Sequence, residues 1–145
     1  MIYIKSDKEI ELMRKPCGIV RDVLNLVQDK IRAGMTTKEL DKIAYDYITS
    51  CGAKPSFLGY GGFPAATCIS IDEQVVHGFP SDRIIEEDQI VSVDVGAFFN
   101  GFHGDAARSL YVGHISPEKK KLIDVTRECF FEGIKGICIG SALGD

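Results

Sequence analysis

Asn100-Gly101 sits between two stretches rich in β-branched and aromatic residues, 89–99 and 102–112. Both residues tolerate the positive φ of a type I′ turn, so the pair signals a tight antiparallel hairpin. A two-residue loop places Phe99 opposite Phe102 and Asp94 opposite Ala107. Asp105, two positions from Ala107, then lies on the same face as Asp94, diagonally across. A loop shifted by one residue on each side pairs the two aspartates directly. Either register holds both carboxylates on one face, roughly 5 to 8 Å apart.

That face carries Ser92, Asp94, Gly96, His103, Asp105, Ala107 and Ser109. The opposite face carries Val91, Val93, Val95, Ala97, Phe102, Ala106, Leu110 and Val112, and reads as core. Two carboxylates this close repel unless one is protonated or a cation lies between them. The small neighbours Gly96 and Ala107 leave room for a cation. From spacing alone the face is either a metal site or a solvated surface with two scattered acids.

A first helix follows the Ser6/Glu9 capping box and runs to about Lys30, with Ile10, Met13, Cys17, Val20, Leu24 and Val27 on one stripe. Pro16 should kink it or delay its regular start, because proline lacks the N–H and clashes with the preceding turn. Thr36 and Glu39 form a second capping box for a helix to about Ser50, closed by Gly52. Strands are expected over 67–71 and 75–77, ahead of the hairpin. Ser116-Pro117 starts a third helix with Leu122, Val125, Cys129, Phe130 and Ile134 inward. Ile31-Arg-Ala-Gly34 and Ile137-Cys-Ile-Gly140 form a slight internal repeat, which chance also explains.

Composition bounds the function. Hydrophobic residues make up 45% and charged residues 26%, ordinary values for a globular chain long enough to bury one core. A formal net charge of −4 and the lack of a basic cluster interleaved with aromatics leave no nucleic-acid footprint. No apolar run reaches membrane-spanning length, and residues 1–9 contain no signal-peptide core. The five cysteines are odd in number, with no Cys-x-x-Cys pair, and suggest reduced thiols in a cytoplasmic protein.

Further groups qualify as site candidates. Gly59-Tyr-Gly-Gly-Phe-Pro64 lacks the lysine and the strand–helix setting of a phosphate loop. It reads as a loop closing aromatics over an apolar pocket, or as core aromatics beside a buried Cys68. His77 leaves a Val75-Val76 run toward Gly78-Phe-Pro80, where a histidine is ordinarily a partly exposed loop residue. His103 stands two residues from Asp105 and is a possible ligand by spacing, whereas His114 follows the hairpin into solvent.

Several motifs in order carry a more specific signal. Val93-Asp-Val-Gly96 followed by Gly101-Phe-His-Gly-Asp-Ala-Ala-Arg108 resembles the central metal-binding hairpin of the type I methionine aminopeptidases. Leu58-Gly-Tyr-Gly-Gly-Phe-Pro64, residues 68–80 and Ile10-Glu-Leu-Met-Arg14 resemble the same family in the same order. The resemblance extends from about Lys5 to the end of the chain.

It implies an α+β fold, an antiparallel sheet with helices packed on one face, amounting to about half of a pseudo-symmetric pita-bread fold. Residues 1–145 would form the N-terminal part of a single metallopeptidase catalytic domain, ending just after the second pseudo-repeat begins. The implied activity is removal of the N-terminal methionine from peptides and nascent proteins in the cytoplasm. Two divalent ions, drawn from Co, Mn, Fe or Zn, would activate water for attack on the first carbonyl. Asp94 would bind one ion and Asp105 both, with a His and two Glu of the family's set unassigned in this chain. His77 would be catalytic, hydrogen-bonding the substrate. Tyr60, Phe63 and Cys68 would line the methionine pocket, while Phe57 stands where many members place a cysteine. The family does not use the counterpart of His103 as a ligand. A complete enzyme is expected to be monomeric, and this stretch by itself inactive and prone to self-association as a two-fold dimer. Two other readings share the fold: a prolidase or X-Pro aminopeptidase, and a non-catalytic protein-binding module. No nucleic acid or membrane partner is expected.

Overall fold

The computed structural model describes residues 3–142 and 144. They form two units, Met1–His114 and Ile115–Asp145. The first contains α1 (Asp7–Lys30), α2 (Thr37–Ser50), β1 (Lys54–Pro55), β2 (Thr67–Ile71), β3 (Ile90–Phe99) and β4 (Phe102–Tyr111). The second contains α3 (Pro117–Lys135).

The hairpin forms in the register of a two-residue loop. Asn100 and Gly101 take φ values of 49° and 88°, Phe99 pairs with Phe102, and Asp94 pairs with Ala107. β3 is the central strand of an antiparallel sheet. β4 runs along one edge of it, while β2 and the short β1 pair with successive stretches of the other. Val91, Val93, Val95 and Ala97 are fully buried and meet Ile69 and Ile71 of β2 in the core. Ala106, expected in that core, is exposed, as an edge strand permits.

Both capping boxes form as expected. Ser6 and Glu9, then Thr36 and Glu39, exchange hydrogen bonds that satisfy otherwise orphaned N–H groups. α1 contributes Ile19, Val20, Val23, Leu24 and Val27 to the core, and α2 contributes Leu40, Ala44 and Ile48. The helix runs through Pro16 instead of starting after it. The cap upstream and the packing of Pro16 against β4 offset a penalty of about 3 kcal/mol for an interior proline. Ile10 and Cys17 of the expected stripe are exposed, while Pro16 is buried in their place.

The expectations fail in two further places. Residues 75–77 are not a strand. Asp72 turns the chain at φ 51°, the Gln74 side chain accepts from the Ile71 N–H, and Val75 and Val76 are 86% and 65% exposed. Leu122, Val125, Cys129, Phe130 and Ile134 of α3 are exposed, not inward. α3 is the sole element of its unit among the described residues, and one helix cannot bury its own stripe.

Candidate metal and substrate site

The face of the sheet opposite the core gathers the candidate residues. Cys68 of β2 pairs directly with Asp94 of β3, and Asp94 with Ala107 of β4. Asp105 pairs with Gly96, one step diagonal to Asp94. Cys68, Ser70, His77, Asp94, Ala107 and Ser109 are among the residues lining a cleft of about 240 Å³. A larger, more open groove of about 680 Å³ runs beside α2, lined by residues such as Thr36 and Tyr45, away from this chemistry.

Electrostatics mark Asp94. Burial, and next the charge of Asp105, push its carboxyl up to about 6, while His77 pulls it the other way. Its Oδ1 is buried and has no hydrogen-bond partner. An acceptor left bare in a partly buried site costs about 1–3 kcal/mol unless something meets it. A divalent cation would fit: it would meet the bare oxygen and offset the repulsion between the two carboxylates. Asp105 is exposed, and its carboxyl already lies within hydrogen-bond reach of Asp94. Among the described residues no group of three or more His, Cys, Asp or Glu side chains is arranged to hold a metal, so the aspartates furnish a partial ligand set.

Gly96 does not leave the space expected of it. A Cβ built there would lie 2.7 Å from the Phe57 ring and 2.7 Å from Ser56 Cβ, so the room is taken by the loop crossing the sheet. Phe57 meets Phe63 edge-on at 6.4 Å between centroids, and Phe63 meets Phe79 at 5.1 Å. The rings form a continuous wall, and its Phe57 end stands on Gly96, the register partner of Asp105. Tyr60, at 83% exposure, stands outside it on a 3-10 turn flanked by Gly59 at φ 84°.

His77 is exposed and takes φ 58°, an uncommon left-handed conformation for a residue without glycine's freedom. The residue after it explains how it is held. The Gly78 N–H donates to the buried Ser70 Oγ, and its carbonyl accepts from the Ile69 N–H. Cys68 is buried, and burial followed by the charges of Asp94, Asp105 and Asp41 pushes its thiol up to about 11. Asp41, singled out by nothing in the sequence, accepts from the Ala66 and Thr67 N–H groups and the Thr67 hydroxyl, and so fixes the start of β2. His103 turns its Nδ1 to Ser56 Oγ at 2.9 Å.

Known proteins resemble this chain along nearly all of its length. The chain is 51% identical over 146 residues to a methionine aminopeptidase of Clostridium acetobutylicum, spanning all of this chain and 58% of the relative. It is 50% identical to that of Clostridium perfringens, with the same coverage. The crystal structure of methionine aminopeptidase from Thermotoga maritima superposes with a TM-score of 0.91 at 41% identity, over 94% of this chain and 55% of that one. The chain thus spans little more than half the length of these relatives. The fold is the expected α+β arrangement of the pita-bread proteins. Residues 11–145 match the model of metallopeptidase family M24, and the chain belongs to that family.

Proposed function

We propose that this protein removes the N-terminal methionine from peptides and nascent proteins by metal-dependent hydrolysis in the cytoplasm. The observation that carries the reading is the bare, buried Asp94 Oδ1 in a cleft shared with His77, in a chain half identical to methionine aminopeptidases. Residues 1–145 contribute the N-terminal part of one catalytic domain, in keeping with the share of the relatives they span.

Asp94 and Asp105 would hold two divalent ions, together with ligands beyond this pair. Such ions supply a Lewis acid for the carbonyl and lower the pKa of water toward neutrality. Hard carboxylate oxygens accept Mn, Fe, Co or Zn in turn. His77 hydrogen-bonds the substrate beside the scissile bond, and its fixed backbone leaves little entropy to lose on binding. Phe63 and Cys68 line the side-chain pocket, where a thioether packs well against an aromatic edge and a neutral thiol. Tyr60 closes over the substrate from its glycine-flanked turn.

Peptide hydrolysis by the full-length, metal-loaded protein tests the reading. Met-Ala-Ser should be cleaved well, and Leu-Ala or Pro-Ala peptides poorly. Discrimination against close isosteres should stay modest, since one methylene is worth about 1–3 kcal/mol. Preferred cleavage of X-Pro dipeptides would overturn it.

A further inference from the structure

His103 lies on the carboxylate face yet does not point its Nδ1 at the carboxylates. That nitrogen is hydrogen-bonded to Ser56 Oγ at 2.9 Å, across 47 residues of sequence. The imidazole also stacks at 45° against Phe98, its cross-strand partner, with centroids 4.7 Å apart. The ring is therefore held from two sides. Ser56 is held from two sides as well: its side chain by His103, and its N–H by the Gly96 carbonyl at 2.9 Å. Immediately upstream, Lys54 and Pro55 pair with Phe98 and Ala97. The backbone is thus zipped along β3 up to Gly96 and tied at that point across to β4.

The next residue is Phe57. Its ring lies where a side chain on Gly96 would be, and Gly96 is the register partner of Asp105 and two residues from Asp94. The tie fixes the aromatic wall at the carboxylate pair. We propose that His103 is a positioning residue: through Ser56 it holds Phe57 on Gly96 and so sets the wall of the pocket that receives the substrate's N-terminal side chain. This rests on the aminopeptidase reading for its consequence, but the tie itself is independent of the reaction. A wall held this way acts on substrate binding, because His103 is engaged with Ser56 and Phe98 and Phe57 contributes only an apolar ring. Loss of the tie should weaken binding of the methionine side chain and relax selection, with the chemical step left intact.

Two readouts on the full-length, metal-loaded protein test this. The first is the nuclear Overhauser contact between the Phe57 ring and the Gly96 Hα protons, which needs no turnover. It should be present in the parent protein, lost in His103→Ala and Ser56→Ala, and restored in His103→Asn, whose amide can still meet Ser56. The second is the kinetic split for Met-Ala-Ser. His103→Ala should raise KM about tenfold with kcat within twofold, with metal content unchanged, and His103→Asn should recover most of the KM. A contact that survives both alanine substitutions would overturn the tie. A fall in kcat and metal content with KM unchanged would also overturn it, making His103 a ligand. Absence of any Met-Ala-Ser cleavage by the parent protein would instead count against the aminopeptidase reading, while the contact measurement would still decide the tie.

Discussion

Gly104 of β4 lies directly beneath the Pro16–Cys17 peptide of α1, so close that a Cβ on it would be 2.5 Å from Pro16 C and 2.5 Å from Cys17 N. The obstacle is helix backbone, which cannot swing aside as a side chain does. Gly104→Ala should therefore push α1 off the sheet. We expect a loss of about 2–3 kcal/mol in urea unfolding, the range for overpacking a tight contact. A loss below about 0.5 kcal/mol would show that α1 rides freely over β4.

Asp94 gives the metal-free protein a pH dependence of definite sign. Its carboxyl is raised from 3.8 to about 6 by burial first and by Asp105 second. Below about pH 4 this carboxyl is protonated in both folded and unfolded forms and costs the fold nothing. Between 4 and 6 the folded form binds more protons, so stability falls as pH rises, and above 6 the loss is complete. The site is partly open, so solvent screening reduces the cost to about 1–2 kcal/mol. Asp94→Asn should raise the stability of chelator-treated protein by that amount at pH 7 and by nothing at pH 4. An equal gain at both pH values would mean that charge is not the cause.

Metal binding should reverse this preference. With Mn or Co in excess, the parent full-length protein should gain thermal stability at pH 7, because the ion meets the bare Oδ1 and links the two carboxylates. Asp94→Asn and Asp105→Asn should each abolish that gain and lower bound metal by at least tenfold in elemental analysis. His77→Ala should leave both unchanged and reduce turnover only. Full metal loading by Asp105→Asn would sink the shared-ion assignment.

The hairpin register could be read from the sequence because Asn100-Gly101 fixes the turn, and a period of two then assigns every side chain to a face. The aspartate pair followed from it. Helix starts were equally legible, since Ser6/Glu9 and Thr36/Glu39 are local chemistry. What stayed hidden depends on contacts distant in sequence. Val75 and Val76 have strong β-propensity, yet Gly78 docks against β2 and holds the chain as a loop. The pairing of Ser56 with His103 and of Phe57 with Gly96 needs the crossing of a loop over the sheet, which no periodicity announces. The burial of α3 failed for a different reason: an apolar stripe states that a partner is wanted, and α3 is the sole element of its own unit among the described residues.

Cys68 offers a last test through its reactivity. Its thiol is pushed up to about 11 by burial, and next by the negative charge of Asp94, its cross-strand partner. Thiolate is the reactive form, so at pH 8 Cys68 should be nearly inert to iodoacetamide. Cys17, Cys129 and Cys138 are exposed and should alkylate first, with half-buried Cys51 between. Mass spectrometry of peptides after timed alkylation reads the order directly. Neutralising the neighbour by Asp94→Asn removes one of the two leading causes but leaves the burial, so Cys68 should react several-fold faster and still remain the slowest. If Cys68 alkylated as fast as Cys17 in the folded parent protein, it would not be packed against Asp94, and its place in the side-chain pocket would be lost with it.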